Sequence, residues 1–190
     1  LLYLHFHQRF MVRDRVIEGK RRMKIQRAFK TELKPNNKQR SQLFRHAGAG
    51  RYVYNWALAR RIAEYKEKGK SSNAIEQHRQ LNELKKGELS WLYEVSKCSG
   101  QESLRDLDKA FQNFFRRCKQ KKKGSSIKAG FPKFKKRKEG SGSFRLTGSI
   151  KVEENKVKLP RIGWIRLKEQ SYISVHSPSQ ISVSLDGDRW

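Results

Sequence analysis

The sequence predicts an α+β fold in which one strand comes first, several helices follow, and further strands end the chain. Three observations predict this order. Apolar and polar residues alternate loosely between Lys24 and Leu33, apolar residues recur every three or four positions within 37–118, and alternation returns from Phe144 onward. A period of two is typical of strands, whereas spacings of three and four place residues on one face of a helix.

The composition points to a polyanionic partner. The 190 residues include 45 Lys and Arg against 18 Asp and Glu, which gives a net charge of +27. Such a charge disfavours the compact state through self-repulsion unless a polyanion compensates it. Aromatic residues make up 11% of the chain, which argues against general disorder. We therefore expect nucleic acid as the partner rather than a membrane, because no apolar run approaches the ~18–20 residues that span a bilayer.

The first elements are a strand and two helices. Residues 1–22 have no firm period, so we expect an extension of doubtful structure before Met23. A strand is predicted within 23–35, and Asn36 and Gln39 have the spacing of a helix-capping box. Helices are predicted over 37–47 and 51–68, with a break at the glycines between them. Two helices joined by a short glycine turn fit either a helix-turn-helix or a plain helical hairpin.

Two further helices are predicted before the basic part of the chain. The third covers 74–86. The fourth is expected to start at a capping box of Ser99 and Glu102. Its apolar residues share one helical face because they are three or four positions apart. They are Leu104, Leu107, Phe111, Phe114 and Cys118.

A basic segment, defined here as residues 116–138, follows the fourth helix. It contains twelve Lys or Arg in 23 residues and no acid. Phe131 and Phe134 lie among these cations, where they would serve either as stacking platforms for bases or as packed anchors. Cations interleaved with aromatic rings favour a ligand that has both phosphates and flat faces, which is nucleic acid.

The remaining chain is predicted to form strands. Residues 141–143 are expected to be a loop, 153–155 a turn, and Asp186-Gly187-Asp188 a hairpin turn. Because only two residues follow that turn, the last strand is expected to have an unpaired edge, and the chain to be the front part of a longer protein. The predicted strands cover residues 144–147, 149–152, 156–159, 162–167 and 180–185.

The candidate contacts to nucleic acid are cations and aromatic residues. Arg51, Tyr52, Asn55 and Arg60, on the second predicted helix, either reach base edges or are solvated. The others are expected to hold phosphates or, for the two phenylalanines, to stack or anchor. They are Arg105, Lys109, Arg116, Arg117, Lys121, Lys122, Lys123, Phe131, Lys133, Phe134, Lys135, Lys136, Arg137, Lys138 and Arg145.

No catalytic or metal-binding pattern is evident in the sequence. Glu102 is interpreted as a cap, and Asp106 and Asp108 as residues of the solvated side of the fourth helix. Cys98 and Cys118 form no Cys-x-x-Cys pair, which excludes a zinc ribbon within these residues. The sequence thus predicts a binding module rather than an enzyme, located in the cytoplasm with the nucleoid.

Several stretches, in order, resemble the TnpB (OrfB) proteins of bacterial insertion sequences, which are RNA-guided DNA endonucleases. Each stretch alone is a weak match to the family, but together, in the same order along the chain, they are specific for it. The stretches are 29–36, 51–56, 101–115, 130–135 with 143–145, and 158–165.

The resemblance implies an architecture and partners. It implies a β-barrel wedge domain whose first strand lies in 23–35, an inserted helical recognition domain over 36–125, and a return to the barrel over 126–190. It also implies guide RNA and target DNA as partners. The family's nuclease domain, with its Mg²⁺ site, and its zinc ribbon are expected beyond Trp190, so neither metal is expected in this chain.

Two other functions remain open from the residues alone. A self-contained basic protein that binds RNA as a structural component would need the same charge. A helix-turn-helix regulator would bind duplex DNA through residues 36–68 alone.

Overall fold

The computed structural model describes residues 3–9, 26–124, 126–137, 141–169 and 178–186. Within these ranges the chain is α+β, as predicted. It divides into a sheet unit, residues 1–43 and 139–190, and a helical unit, residues 44–138. Across the described residues, no helix has both the length and the apolar character needed to cross a membrane.

The sheet unit contains one antiparallel sheet in the order β3-β7-β1-β2-β6-β5-β4. Alternate strand residues, such as Leu146, Val157, Ile165 and Ile181, are fully buried and form its apolar face. The described strands are β1 (Tyr3–Arg9), β2 (Gln26–Lys34), β3 (Ser141–Thr147), β4 (Lys151–Glu153), β5 (Lys156–Leu159), β6 (Gly163–Leu167) and β7 (Gln180–Asp186).

Strand β1 lies inside the sheet although residues 1–22 show no strand pattern. It pairs with β2 on one side, with Phe6 opposite Phe29, and with β7 on the other, with Phe6 opposite Ile181. The predicted unpaired edge of residues 180–185 is therefore wrong, because β7 pairs with both β1 and β3. These partners are distant in sequence, so no local pattern encodes the pairing. The predicted hairpin turn continues into residues 187–188, and the proposed start of the first strand lies at residues 23–25, both outside the described residues.

The shorter strands agree better with the sequence. β4 and β5 form a hairpin with its turn at Glu154 and Asn155, and β5 ends before Pro160, as predicted. The loop predicted at residues 141–143 is wrong, since β3 begins at Ser141 and pairs with β7 along its whole length.

Helix α1 runs without interruption from Asn37 to Lys68. Its start is confirmed: the Asn36 backbone donates to Gln39 Oε1 (3.0 Å) and the Gln39 backbone donates to Asn36 Oδ1 (2.9 Å). The predicted break at Gly48-Ala49-Gly50 is wrong. The other helices are α2 (Ala74–Leu84), a short 3-10 helix (Ser90–Glu94) and α3 (Lys97–Lys122).

Gly50 serves close packing rather than a turn. A Cβ at this position would lie 3.0 Å from Ser103 Oγ and 3.3 Å from Ser99 Oγ, both on α3. Gly100 of α3 similarly faces Val53, at 3.5 Å. Glycine therefore allows α1 and α3 to approach closely, and this packing outweighs its low helix propensity.

We expect Gly50→Val to lower the free energy of unfolding by about 1–3 kcal/mol, because the added methyl groups would overlap Ser103. Gly48 is the matched control, since a Cβ there meets nothing within 4 Å. Gly48→Val should therefore change stability by no more than about 0.5 kcal/mol. Urea unfolding followed by circular dichroism at the helical band measures both. Equal effects of the two substitutions would contradict this role of Gly50.

Helix α3 begins three residues earlier than the sequence indicates. Its N-cap is Ser96, whose side chain accepts from the Cys98 backbone, so the predicted capping box of Ser99 and Glu102 is wrong. Ser99 Oγ donates instead to the backbone carbonyl of buried His46 (2.9 Å), and Glu102 pairs with Arg105. The helix also extends past Phe115 to Lys122, so its last two turns belong to the basic segment.

A buried polar network joins helices α1, α2 and α3. Arg61 is 5% exposed; its Nε donates to Gln77 Oε1 (2.9 Å) and its guanidinium pairs with Asp108. Gln77 Nε2 in turn donates to the backbone carbonyl of Ala57 (2.8 Å), and the Ala74 backbone donates to Asp108 Oδ2 (3.2 Å). The interpretation of Asp108 as a solvated residue is therefore wrong.

Candidate nucleic-acid interface

The C-terminal end of α3 carries a dense group of exposed cations. Arg116 and Arg117 begin it, and Lys119, Lys121 and Lys122 occupy its last turn. Upstream, Arg105 and Lys109 are also exposed. Arg105 precedes Lys109 by about one helical turn, and Lys109 precedes Arg116 by about two turns, so the three lie along one side of α3. Arg105 is partly neutralised by its ion pair with Glu102, whereas the helix end has no acidic residue.

Residues 126–137, called the crossing segment here, follow α3 without forming a helix or strand. Phe131 anchors this segment: its ring contacts Phe111 (5.5 Å between centroids, 88°) and Phe114 (5.3 Å, 81°) edge to face. The neighbouring Pro132 is buried. Of the two roles open to Phe131 from the sequence, these contacts favour an anchor on α3.

Asn55 of α1 holds the crossing segment through its backbone. Asn55 Nδ2 donates to the Lys135 carbonyl (2.9 Å), and the Lys135 N–H donates to Asn55 Oδ1 (2.8 Å). The side-chain amide of Asn55 thus pairs with the Lys135 backbone in the way that a neighbouring β-strand would. Both hydrogen-bonding groups of this amide are therefore engaged within the chain. The segment is thereby fixed at two points, Phe131 and Lys135.

A cation–π contact reinforces the second anchor point. Lys135 Nζ lies 4.3 Å from the ring centroid of Tyr54. Burial and the charge of Asp106 raise the pKa of Tyr54, so the ring beneath the ammonium group remains a neutral phenol. Lys133, Phe134, Lys136 and Arg137 all remain exposed around this point. The anchors therefore hold a row of exposed cations at the surface of the helical unit.

An open groove of about 920 Å³ adjoins the crossing segment. Tyr52 and Trp91 lie in its wall with their rings edge to face, 5.3 Å between centroids. Phe134 lines it from the crossing segment, and Arg51 and Asn55 line it from α1. Trp91 and Arg45 were not identified from the sequence, because the contacts that bring them to this groove are not local.

The other candidate residues lie elsewhere. Arg60 is exposed, pairs with Glu64 (3.3 Å) and lies over Trp56 (5.7 Å to the ring centroid). Arg145 belongs to β3 of the sheet unit, and Lys138 is outside the described residues. Among the described residues, no three His, Cys, Asp or Glu side chains form a group that could hold a metal ion.

We expect Asn55→Ala to release the crossing segment without unfolding the helices. Both hydrogen bonds to Lys135 are lost, so the Lys135 amide should exchange with solvent at least about tenfold faster, and stability should fall by about 1–2 kcal/mol. Hydrogen exchange measured by mass spectrometry checks this. Asn113→Ala is the control, since the hydrogen bond that Asn113 accepts from Arg116 (3.2 Å) is exposed and lies within one helical turn. Unchanged exchange at Lys135 in Asn55→Ala would disprove the anchor.

Comparison with known proteins identifies the family. Residues 23–70 match the OrfB/IS605 family model described as "Helix-turn-helix domain". The chain is 32% identical over 171 residues to InsQ of Escherichia coli K12, covering 88% of this chain. It is 33% identical over 126 residues, 66% of this chain, to a Streptomyces pristinaespiralis protein. Both carry the name "Putative RNA-guided DNA endonuclease". The chain belongs to the TnpB (OrfB) family.

The family resemblance seen in the sequence motifs is thereby confirmed. This TnpB-family chain spans 40% of the length of InsQ and 29% of the Streptomyces relative. Within the range that matches the helix-turn-helix family, the described residues contain β2, α1 and the start of the loop that leads to α2.

Proposed function

We propose that the chain is a nucleic-acid-binding part of a TnpB-type, insertion-sequence-encoded RNA-guided DNA endonuclease. Its helical unit holds the backbones of a guide RNA and of the guide–target heteroduplex. Binding takes place on the basic surface, defined as the exposed cations of the α3 end and of the crossing segment. Its work would be done in the cytoplasm, at the nucleoid. Cleavage is assigned to no residue of this chain.

One observation carries this proposal. The crossing segment is fixed to α1 and α3 by Phe131 and Asn55, yet Lys133, Lys136 and Arg137 remain exposed. A cationic loop with no ligand would gain nothing from such anchoring, because repulsion within a chain of +27 charge opposes it. Cations that are already ordered suit a phosphate backbone. They displace its condensed counterions on binding, and no free energy is lost in ordering the loop that carries them.

The chain order supports a wedge-and-recognition architecture. In the sequence, the helical unit lies between the two parts of the sheet unit, and β2, before the helices, pairs with β6, after them. We propose that the sheet unit is the wedge domain, that the helical unit is the inserted recognition domain, and that the names of InsQ and the Streptomyces relative describe the activity of the whole protein.

The test is the salt dependence of binding by the full chain. A fluorescent RNA–DNA heteroduplex of roughly 20 base pairs is titrated at several salt concentrations between about 50 and 200 mM. We expect log K to fall with log salt concentration with a slope of about −5 or steeper, and with no strong preference for base sequence. A slope near zero, or tight binding to one DNA sequence only, would contradict backbone binding by the basic surface.

A further inference from the structure

The groove beside the crossing segment is not explained by backbone binding. Phosphate contacts require cations, whereas the aromatic groove, defined as the surface between Tyr52, Trp91 and Phe134, presents rings. These side chains are 42%, 40% and 51% exposed, although each is large and apolar enough to be buried. Three exposed rings, from α1, the 3-10 helix and the crossing segment, meet at one groove. Single apolar residues scattered over a surface are common, whereas a cluster of exposed rings indicates a binding site.

We propose that the aromatic groove binds an unstacked base of a single-stranded nucleotide, adjoining the strand whose phosphates lie on the basic surface. This inference rests on the proposed function and specifies the ligand of one part of it. The groove volume of about 920 Å³ lies within the ~300–1,000 Å³ typical of small-ligand sites, a size suited to one or two bases.

The charges in the groove wall favour a nucleotide over an apolar peptide. Arg51 is half-buried in this wall and has no ion pair among the described residues, which leaves a cation at the groove. Glu94 also lines the groove, but its carboxylate is paired with Arg45 (3.0 Å). Lys133 and Lys135 flank Phe134 in the sequence. An apolar peptide would gain nothing from a free guanidinium, whereas a nucleotide brings both a ring and a phosphate.

The polar groups in the groove predict weak base specificity. Asn55 is the amide best placed to read a base edge, and both of its hydrogen-bonding groups are engaged with the Lys135 backbone. Stacking on aromatic rings is tolerant of sequence, because every base has a π face. The expected ligand is therefore any flexible single strand, with differences between bases set by stacking strength.

The test compares Phe134→Ala in the full chain with Tyr65→Ala, an exposed aromatic residue of α1 that does not line the groove. The probes are a uridine-rich single-stranded RNA that carries one 2-aminopurine, and a blunt RNA–DNA heteroduplex. Phe134→Ala should weaken single-strand binding roughly 5- to 150-fold and abolish quenching of the 2-aminopurine, with an unchanged salt slope. Heteroduplex affinity should stay the same. Phe134→Trp should restore both single-strand affinity and quenching.

The outcomes separate this inference from the proposed function. If Phe134→Ala loses affinity equally for the single strand and for the heteroduplex, the aromatic groove is refuted and the basic surface is not. The same conclusion follows if Phe134→Ala loses no affinity while the wild type keeps its steep salt slope. Full single-strand affinity of Phe134→Ala together with binding of an apolar peptide in the groove would also overturn the aromatic groove. A wild-type chain that binds neither probe refutes the proposed function itself.

Discussion

We expect affinity for nucleic acid to fall on the order of a thousandfold at about 0.1 M salt when five cations of the α3 end are replaced with glutamine. Each cation that neutralises a phosphate contributes a little under one unit to the salt slope, so the slope should become shallower by roughly four units. Glutamine preserves helix propensity, so α3 should persist. The five residues are Arg116, Arg117, Lys119, Lys121 and Lys122.

A charge-matched variant controls for the net charge of the chain. It replaces five exposed cations away from the basic surface, and it lowers the net charge by the same amount. Its affinity should fall less than about tenfold, because screening at this salt concentration limits the effect of distant charges. Fluorescence anisotropy measures both variants. Equal losses would mean that net charge, rather than this surface, determines binding. The control residues are Lys38, Arg40, Arg79, Lys86 and Lys97.

Arg61→Met is expected to lower the free energy of unfolding of the helical unit by about 3–5 kcal/mol. The substitution leaves the half-buried carboxylate of Asp108 without its partner and Gln77 Oε1 without its donor. It also removes the guanidinium that lies over Phe111, 5.2 Å from the ring centroid. Because Phe111 in turn contacts Phe131, we expect the crossing segment to lose protection as well. Urea unfolding followed by circular dichroism measures the stability.

Arg60→Met is the matched control on the same helix. Arg60 is exposed and its ion pair with Glu64 is within one helical turn, so its loss should cost no more than about 0.5 kcal/mol. A similar cost for Arg60→Met and Arg61→Met would contradict a structural role for the buried network. Full nucleic-acid affinity of folded Arg61→Met would contradict its link to the crossing segment.

The sequence was most informative where the deciding contacts are local. The capping box of Asn36 and Gln39 is confirmed, and so is the turn between β4 and β5, because each involves residues within a few positions of one another. The composition likewise indicates a polyanionic partner without any structure. Periodicity predicts the buried residues Leu104 and Leu107 of α3 for the same reason.

The sequence predictions fail where contacts between residues far apart in the chain determine the structure. Gly48-Ala49-Gly50 has the composition of a turn, but Gly50 meets Ser103, more than fifty positions away, and α1 continues. The sequence singles out Arg60 of α1 and passes over its neighbour Arg61, which is the buried arginine and pairs with Asp108. Periodicity treats a charged residue as solvated and therefore misses a buried ion pair. The groove that includes Trp91 is missed because three separate elements build it.

The most direct measurement of where nucleic acid lies is photocrosslinking of the full chain to RNA that carries 4-thiouridine, with the attached peptides identified by mass spectrometry. Binding at the basic surface predicts crosslinks within residues 116–137, and their loss when the five α3 cations are replaced. Crosslinks confined to the sheet unit, with none in residues 116–137, would contradict it.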